Sequence, residues 1–119
     1  MMVLVDTSVW IDHFHSNNDH LCKMLSQGRV LTHPFVLGEL ACGNLTQRSK
    51  ILQYLKDLPA ATMAANEEVL AFVEKVPLYG RGLGWVDVHL LASARLSKVP
   101  IWTFDKAMAR EASILGVGF

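Results

Sequence analysis

A short apolar run at residues 2–5 breaks at Asp6-Thr7-Ser8 and gives way to Val9, Trp10, Ile11 and Phe14 at near-helical spacing. A strand-like run, then capping residues, then a helical period marks a strand that feeds directly into a helix. The pattern recurs along the chain. Residues 30–32 read as a second buried strand ahead of Pro34, a residue suited to a helix's first turn because its missing N–H is not needed there. That helix runs through Ala41 and stops near Gly43-Asn44. Residues 99–104 read as a third strand before a last helix over 106–115. Helical spacing also covers 19–27, closed by Gly28, and then 47–58, 67–76 and 86–98. Residues 60–63 read as a short connecting strand or loop, and 117–119 as a candidate edge strand. Such alternation predicts an α/β fold of three layers, α/β/α, with a mostly parallel central sheet flanked by helices. Right-handed crossovers then put the carboxyl ends of the strands on one edge, where ligands bind in this architecture.

A chain of 119 residues fits one domain, taken here as 1–119. Hydrophobic residues make up 51% and charged residues 18%, enough apolar material for a core. The longest stretch free of Asp, Glu, Lys and Arg is 9 residues, about half of what a membrane-spanning helix needs. With no basic leader at the N-terminus, the expected location is the cytoplasm, with no membrane partner. Cys22 and Cys42 lack C-x-x-C or Cys/His ligand spacing and read as reduced structural thiols.

Chemistry is expected from the acids. Asp6 and Asp105 each end a strand immediately before a helix, so both belong to the functional edge. Taken singly, each also reads as a helix N-cap. On the helix over 86–98, Asp87 shares a face with Leu90, Leu91 and Ala94 and is expected to point with the apolar stripe. Glu39 follows Phe35 and Val36 by four and three residues and precedes Cys42 by three, so it too is expected to point inward. A carboxylate among apolar side chains needs a partner, and neither face carries a basic neighbour. If the four converge they repel unless a divalent cation sits among them, and oxygen-only ligands select Mg²⁺ or Mn²⁺ over zinc. Asp12, Asp19, Asp57, Glu67, Glu68, Glu74 and Glu111 read as solvated or capping, Asp12 lying nearest to a site role.

The segments Val5-Asp6-Thr7-Ser8-Val9-Trp10-Ile11-Asp12, Leu37-Gly38-Glu39-Leu40, Gly84 to Ala94 and Trp102-Thr103-Phe104-Asp105 together resemble the PIN domain, specifically the VapC-type toxins of bacterial toxin-antitoxin pairs. The resemblance runs from residue 3 to about 117, with the acids in the family's order and approximate spacing. It implies a Mg²⁺- or Mn²⁺-dependent ribonuclease held inactive by a cognate antitoxin and usually dimeric. Asp6, Glu39, Asp87 and Asp105 match the acidic quartet, with Asp6 and Asp87 most regularly tied to metal. Thr7, Ser8 and Thr103 match hydroxyl-bearing positions near it. In the expected mechanism Asp6 and Asp87 bind the ion, while Glu39 and Asp105 complete its shell, hold a second ion or orient the attacking water.

The chain carries 11 basic and 11 acidic residues. Setting the quartet apart leaves a surplus of four positive charges, enough for a basic rim. Arg81, Lys106, and Arg48 with Lys50 are candidates for holding RNA phosphates. Gly80, Gly82 and Gly84 lack phosphate-loop spacing and read as a mobile loop. His13 and His15 read as surface residues, His89 as packing or capping, and Trp10, Trp85 and Trp102 as core or interface. Two further readings stay open: a small phosphoryl-transfer domain with an aspartyl nucleophile at the first strand's end, and a non-catalytic interaction module.

Overall fold

The computed structural model describes residues Met1–Phe119. In chain order the elements are β1 (Val3–Val5), α1 (Thr7–Ser16), α2 (Asp19–Ser26), β2 (Val30–Leu31), α3 (Pro34–Cys42), α4 (Arg48–Asp57), α5 (Asn66–Lys75), α6 (Trp85–Ser97), β3 (Ile101–Trp102) and α7 (Lys106–Ile114). The three strands form one parallel sheet in the order β2-β1-β3. Val3 and Leu4 pair with Val30 and Leu31 on one side of β1, and Leu4 and Val5 pair with Ile101 and Trp102 on the other.

Val3, Leu4 and Val5 are all fully buried. Successive strand residues point to opposite faces, so three consecutive buried residues mean that helices cover both sides of the sheet. The α/β alternation read from the sequence thus gives the expected layered fold. The main core gathers around the sheet, with Trp10 of α1, Leu21 and Met24 of α2, Val36 and Leu40 of α3, Leu90, Leu91 and Ala94 of α6, and Met108 of α7. A second, smaller cluster of Ala64, Val69, Leu78, Val88 and Ala92 joins α5 to α6. No helix is long and apolar enough to cross a membrane.

The strands are shorter than expected, for local reasons. Val99 N–H returns to Ala94 C=O, closing α6 behind Lys98, which takes the left-handed conformation at φ 55°. At the other end of β3, Phe104 N–H donates to Ser8 Oγ and Thr103 Oγ1 to Asp6, so both residues are drawn toward α1. Residues 60–63, expected as a short connecting strand or loop, supply one parallel bridge, Ala60 to Thr32, and the candidate edge strand at 117–119 is one bridge, Gly118 to Ile101.

Candidate active site

Each of the four acids is held through one carboxylate oxygen, Asp6, Asp87 and Asp105 by donors of their own turn and Glu39 by a residue of another helix. Asp6 follows β1 and caps α1, and is 7% exposed. Its Oδ2 accepts from Ser8 Oγ at 2.7 Å, from Thr103 Oγ1 at 2.8 Å and, more weakly, from Ser8 N–H at 3.4 Å. Asp105 caps α7, its Oδ1 accepting from Met108 N–H at 2.9 Å, while its own N–H donates to Thr103 Oγ1. Asp87, in the first turn of α6, accepts Gly84 N–H on Oδ2 at 2.9 Å. Thr7 Oγ1 donates to Glu39 Oε1 at 2.7 Å, tying α1 to α3. Capping and site membership are therefore compatible for Asp6 and Asp105, because a cap occupies one carboxylate oxygen and leaves the second.

The same holds for all four. One oxygen of each carboxylate is committed inside the chain, and Asp6 Oδ1, Asp87 Oδ1, Glu39 Oε2 and Asp105 Oδ2 accept no intramolecular hydrogen bond. Both salt bridges of the chain belong to Glu111, so none of the four acids has a cationic partner. Their fields meet at Asp87. Burial raises its carboxyl pKa above the ordinary 3.8, the Gly84 N–H opposes this, and the charges of Asp6, Asp105 and Glu39 push it further up.

As the side chains are placed, no three His, Cys, Asp or Glu groups are gathered into a ready ligand cluster. What fits a hard divalent cation is the donor chemistry: four carboxylates, no basic partner, and one uncommitted oxygen on each.

Two expectations need correction, the inward Glu39 and the solvated Glu111. Asp87 is half-buried beside fully buried Leu90, Leu91 and Ala94, as expected, but Glu39 is exposed. The covered stripe of α3 runs through Val36 and Leu40 and leaves Glu39 facing the open edge, where Thr7 alone orients it. Glu111 is not solvated: it is 2% exposed and bonded to two arginines. Arg81 is one of these, its Nη1 2.8 Å from Glu111 Oε1. Arg48 is bound to the carbonyls of Ala41 and Gly43 at the end of α3. Lys106 is exposed next to Asp105 and makes no ion pair. Asp12 accepts from Asn18 Nδ2 and braces the α1–α2 turn.

The two buried histidines, His89 and His33, are structural, and the second was not singled out from the sequence. His89 is fully buried between Phe35 and Trp85, with ring centroids 4.5 and 4.7 Å away, and Nε2 pairs with Asn66 Oδ1. His33 is also fully buried. Its Nδ1 accepts Phe35 N–H at 2.9 Å, capping α3, so the proton resides on Nε2, which donates to Ser93 Oγ at 3.0 Å. The one sequence signal was a histidine immediately before the proline that opens α3. Trp10 is core, while Trp85 is 42% exposed over His89 and Trp102 packs on His20 and Phe119.

A parallel sheet whose strand ends carry unpaired carboxylates defines a class of acidic-edge α/β domains, and residues 3–113 match the PIN domain family. The chain belongs to that family. It is similar to two proteins named Ribonuclease VapC32, from Mycobacterium tuberculosis strains CDC 1551 / Oshkosh and ATCC 25618 / H37Rv. Each is 39% identical to it over 117 residues, which span 98% of this chain and 94% of theirs.

Proposed function

We propose that this chain is a Mg²⁺- or Mn²⁺-dependent endoribonuclease, the toxin of a type II toxin-antitoxin pair, acting in the cytoplasm as a homodimer and silenced by a cognate antitoxin. The observation that carries this is the carboxylate edge: four acids without counter-ions, each oriented through one oxygen and free at the other. The similarity to proteins named as ribonucleases supplies the substrate class.

When bound, a carboxylate-held Mg²⁺ or Mn²⁺ supplies charge stabilisation at the scissile phosphate and a water acidic enough to attack at neutral pH. The residues that would hold it are Asp6 and Asp87, the more enclosed pair. Ser8 and Thr103 fix the Asp6 carboxylate from two sides, and Thr7 and the α7 N-terminus do the same for Glu39 and Asp105. Glu39 and Asp105, both exposed, are placed to orient water or take its proton. Lys106, exposed and next in sequence to Asp105, would meet a phosphate.

Attack by water in line with the leaving ribose oxygen leaves a 5′-phosphate and a 3′-hydroxyl. Chemical analysis of cut RNA should find those ends. Cyclic 2′,3′-phosphates would overturn the mechanism, because they arise from attack by the ribose 2′-hydroxyl and need no activated water.

Thr103 tests the orienting shell. Thr103→Val keeps shape but removes the donor to Asp6 and the acceptor for Asp105 N–H. Loss of an outer-shell partner typically costs about 10- to 100-fold in metal affinity or activity. The Mn²⁺ concentration needed for half-maximal cleavage should rise on that scale, and Thr103→Ser should restore it. An unchanged Mn²⁺ dependence would remove Thr103 from the shell.

A further inference from the structure

Glu111 is the one fully enclosed acid outside the carboxylate edge, and it gathers two cations. Its Oε1 accepts from Arg81 Nη1 at 2.8 Å and its Oε2 from Arg110 Nε at 3.1 Å, while Arg110 Nη2 donates to the Arg81 carbonyl at 3.2 Å. The two guanidiniums hold the Glu111 carboxyl below the ordinary carboxylate range in spite of its burial. One carboxylate cannot neutralise two guanidiniums, so the trio keeps a net positive charge. It also keeps free donors: a guanidinium has five N–H groups, of which Arg81 commits one and Arg110 two. The Arg81 and Arg110 side chains remain 38% and 58% exposed.

The position matters as much as the charge. The loop carrying Arg81 packs on the start of α7, since a Cβ on Gly82 would lie 3.8 Å from Ala107 Cβ. Gly84, the donor to Asp87, closes that loop. Arg110 follows Lys106 by four residues on α7 and so shares its face. Arg81 therefore stands on the loop that ends at the donor to Asp87, and Lys106 and Arg110 on the helix that Asp105 caps.

We infer that Glu111 builds Arg81 and Arg110 into a clasp for an RNA phosphate next to the one that is cut. The identity of the polyanion rests on the ribonuclease reading above. Arg81 and Arg110 are the binding groups. Glu111 is a positioning residue: it holds together two like charges that would otherwise splay apart, and sets their free N–H groups toward solvent.

The test measures binding of a fluorescently labelled single-stranded oligoribonucleotide pool of random sequence, in EDTA so that nothing is cut, over a series of salt concentrations. Each phosphate contact on single-stranded nucleic acid contributes about 0.7 to the slope of log affinity against log salt. Arg110→Ala should reduce the slope by about that amount. Glu111→Gln should weaken binding although it removes a negative charge, an outcome that simple electrostatics does not give. An Arg110→Ala slope equal to that of the unaltered chain overturns the clasp, as does tighter binding by Glu111→Gln. Arg110 is exposed enough for its variant to fold, so it decides the matter alone if Glu111→Gln does not. Cleavage is scored separately with the unaltered chain. Metal-dependent cutting with no change in slope would sink the clasp and keep the nuclease. A reduced slope without cutting would do the reverse.

Discussion

Asp87→Asn should abolish most RNA cleavage and, in EDTA, raise the melting temperature of the protein. Both effects come from one carboxylate. Asp87 is half-buried, without a cation, in the combined field of Asp6, Asp105 and Glu39, and its carboxyl pKa is raised by burial and by those charges. A carboxyl whose folded pKa lies above its unfolded value takes stability away as pH rises through the folded value, so at neutral pH the ionised Asp87 is a net cost. Asn has nearly the same shape, and its amide oxygen can still accept Gly84 N–H. The repulsion goes and the cap stays, so the metal-free variant should melt a few degrees higher.

Cleavage should move the other way by about 100-fold or more, since even outer-shell partners of a metal cost up to that factor. Mn²⁺ should raise the melting temperature of the unaltered chain, because a ligand that binds only the folded state stabilises it by mass action. The variant should respond weakly. Thermal melts with and without Mn²⁺, beside cleavage rates, check all three. A variant that cuts RNA normally, or melts lower in EDTA, contradicts this role for Asp87.

The second large effect is acid sensitivity centred on His33. Burial, and then the neighbouring His89, lower its pKa from 6.5 to about 4. The hydrogen bonds explain the direction: protonating Nδ1 would set an N–H against the Phe35 N–H that it now accepts. Stability from a group with a depressed folded pKa is complete above the unfolded value and is lost as pH falls through the folded one. His33 should therefore withdraw about 3 kcal/mol between pH 6.5 and 4, and little more below that. His89, also lowered by burial, adds to the same slope.

His33→Asn isolates the effect. Its amide oxygen can cap α3, while the loss of the Ser93 contact should cost about 1 to 3 kcal/mol at pH 7. Chemical unfolding across this range should show the variant less stable at neutral pH but with a flatter decline, so the two curves converge toward pH 4. Parallel curves would show that His33 is not the group that titrates.

The two acids on helix faces show what hydrophobic period does and does not settle. Asp87 was legible because its face continues into Leu90, Leu91 and Ala94, and α6 is covered on every side from Val88 to Ala94. Glu39 had a similar pattern on a shorter helix, but full burial on α3 is confined to Val36 and Leu40. Period fixes angles within a helix, and its neighbours decide which angle is covered.

The strand-to-helix switches at Asp6 and Asp105 were readable because each puts a capping acid after a short apolar run. The length of β3 was not, because Thr103 and Phe104 bond across to Asp6 and Ser8, 97 and 96 residues away. Glu111 was hidden for the same reason. Arg110 is its sequence neighbour, but Arg81, the partner that encloses it, lies 30 residues upstream in a loop.

The most direct test of the central claim incubates the purified chain, free of antitoxin, with total cellular RNA and Mn²⁺ or Mg²⁺, beside an EDTA control, and maps new 5′ ends. Four free carboxylates that serve a divalent ion predict discrete cuts that appear with the metal and vanish with EDTA. Cuts that persist in EDTA, or RNA left whole while Mn²⁺ binds the chain, would contradict it.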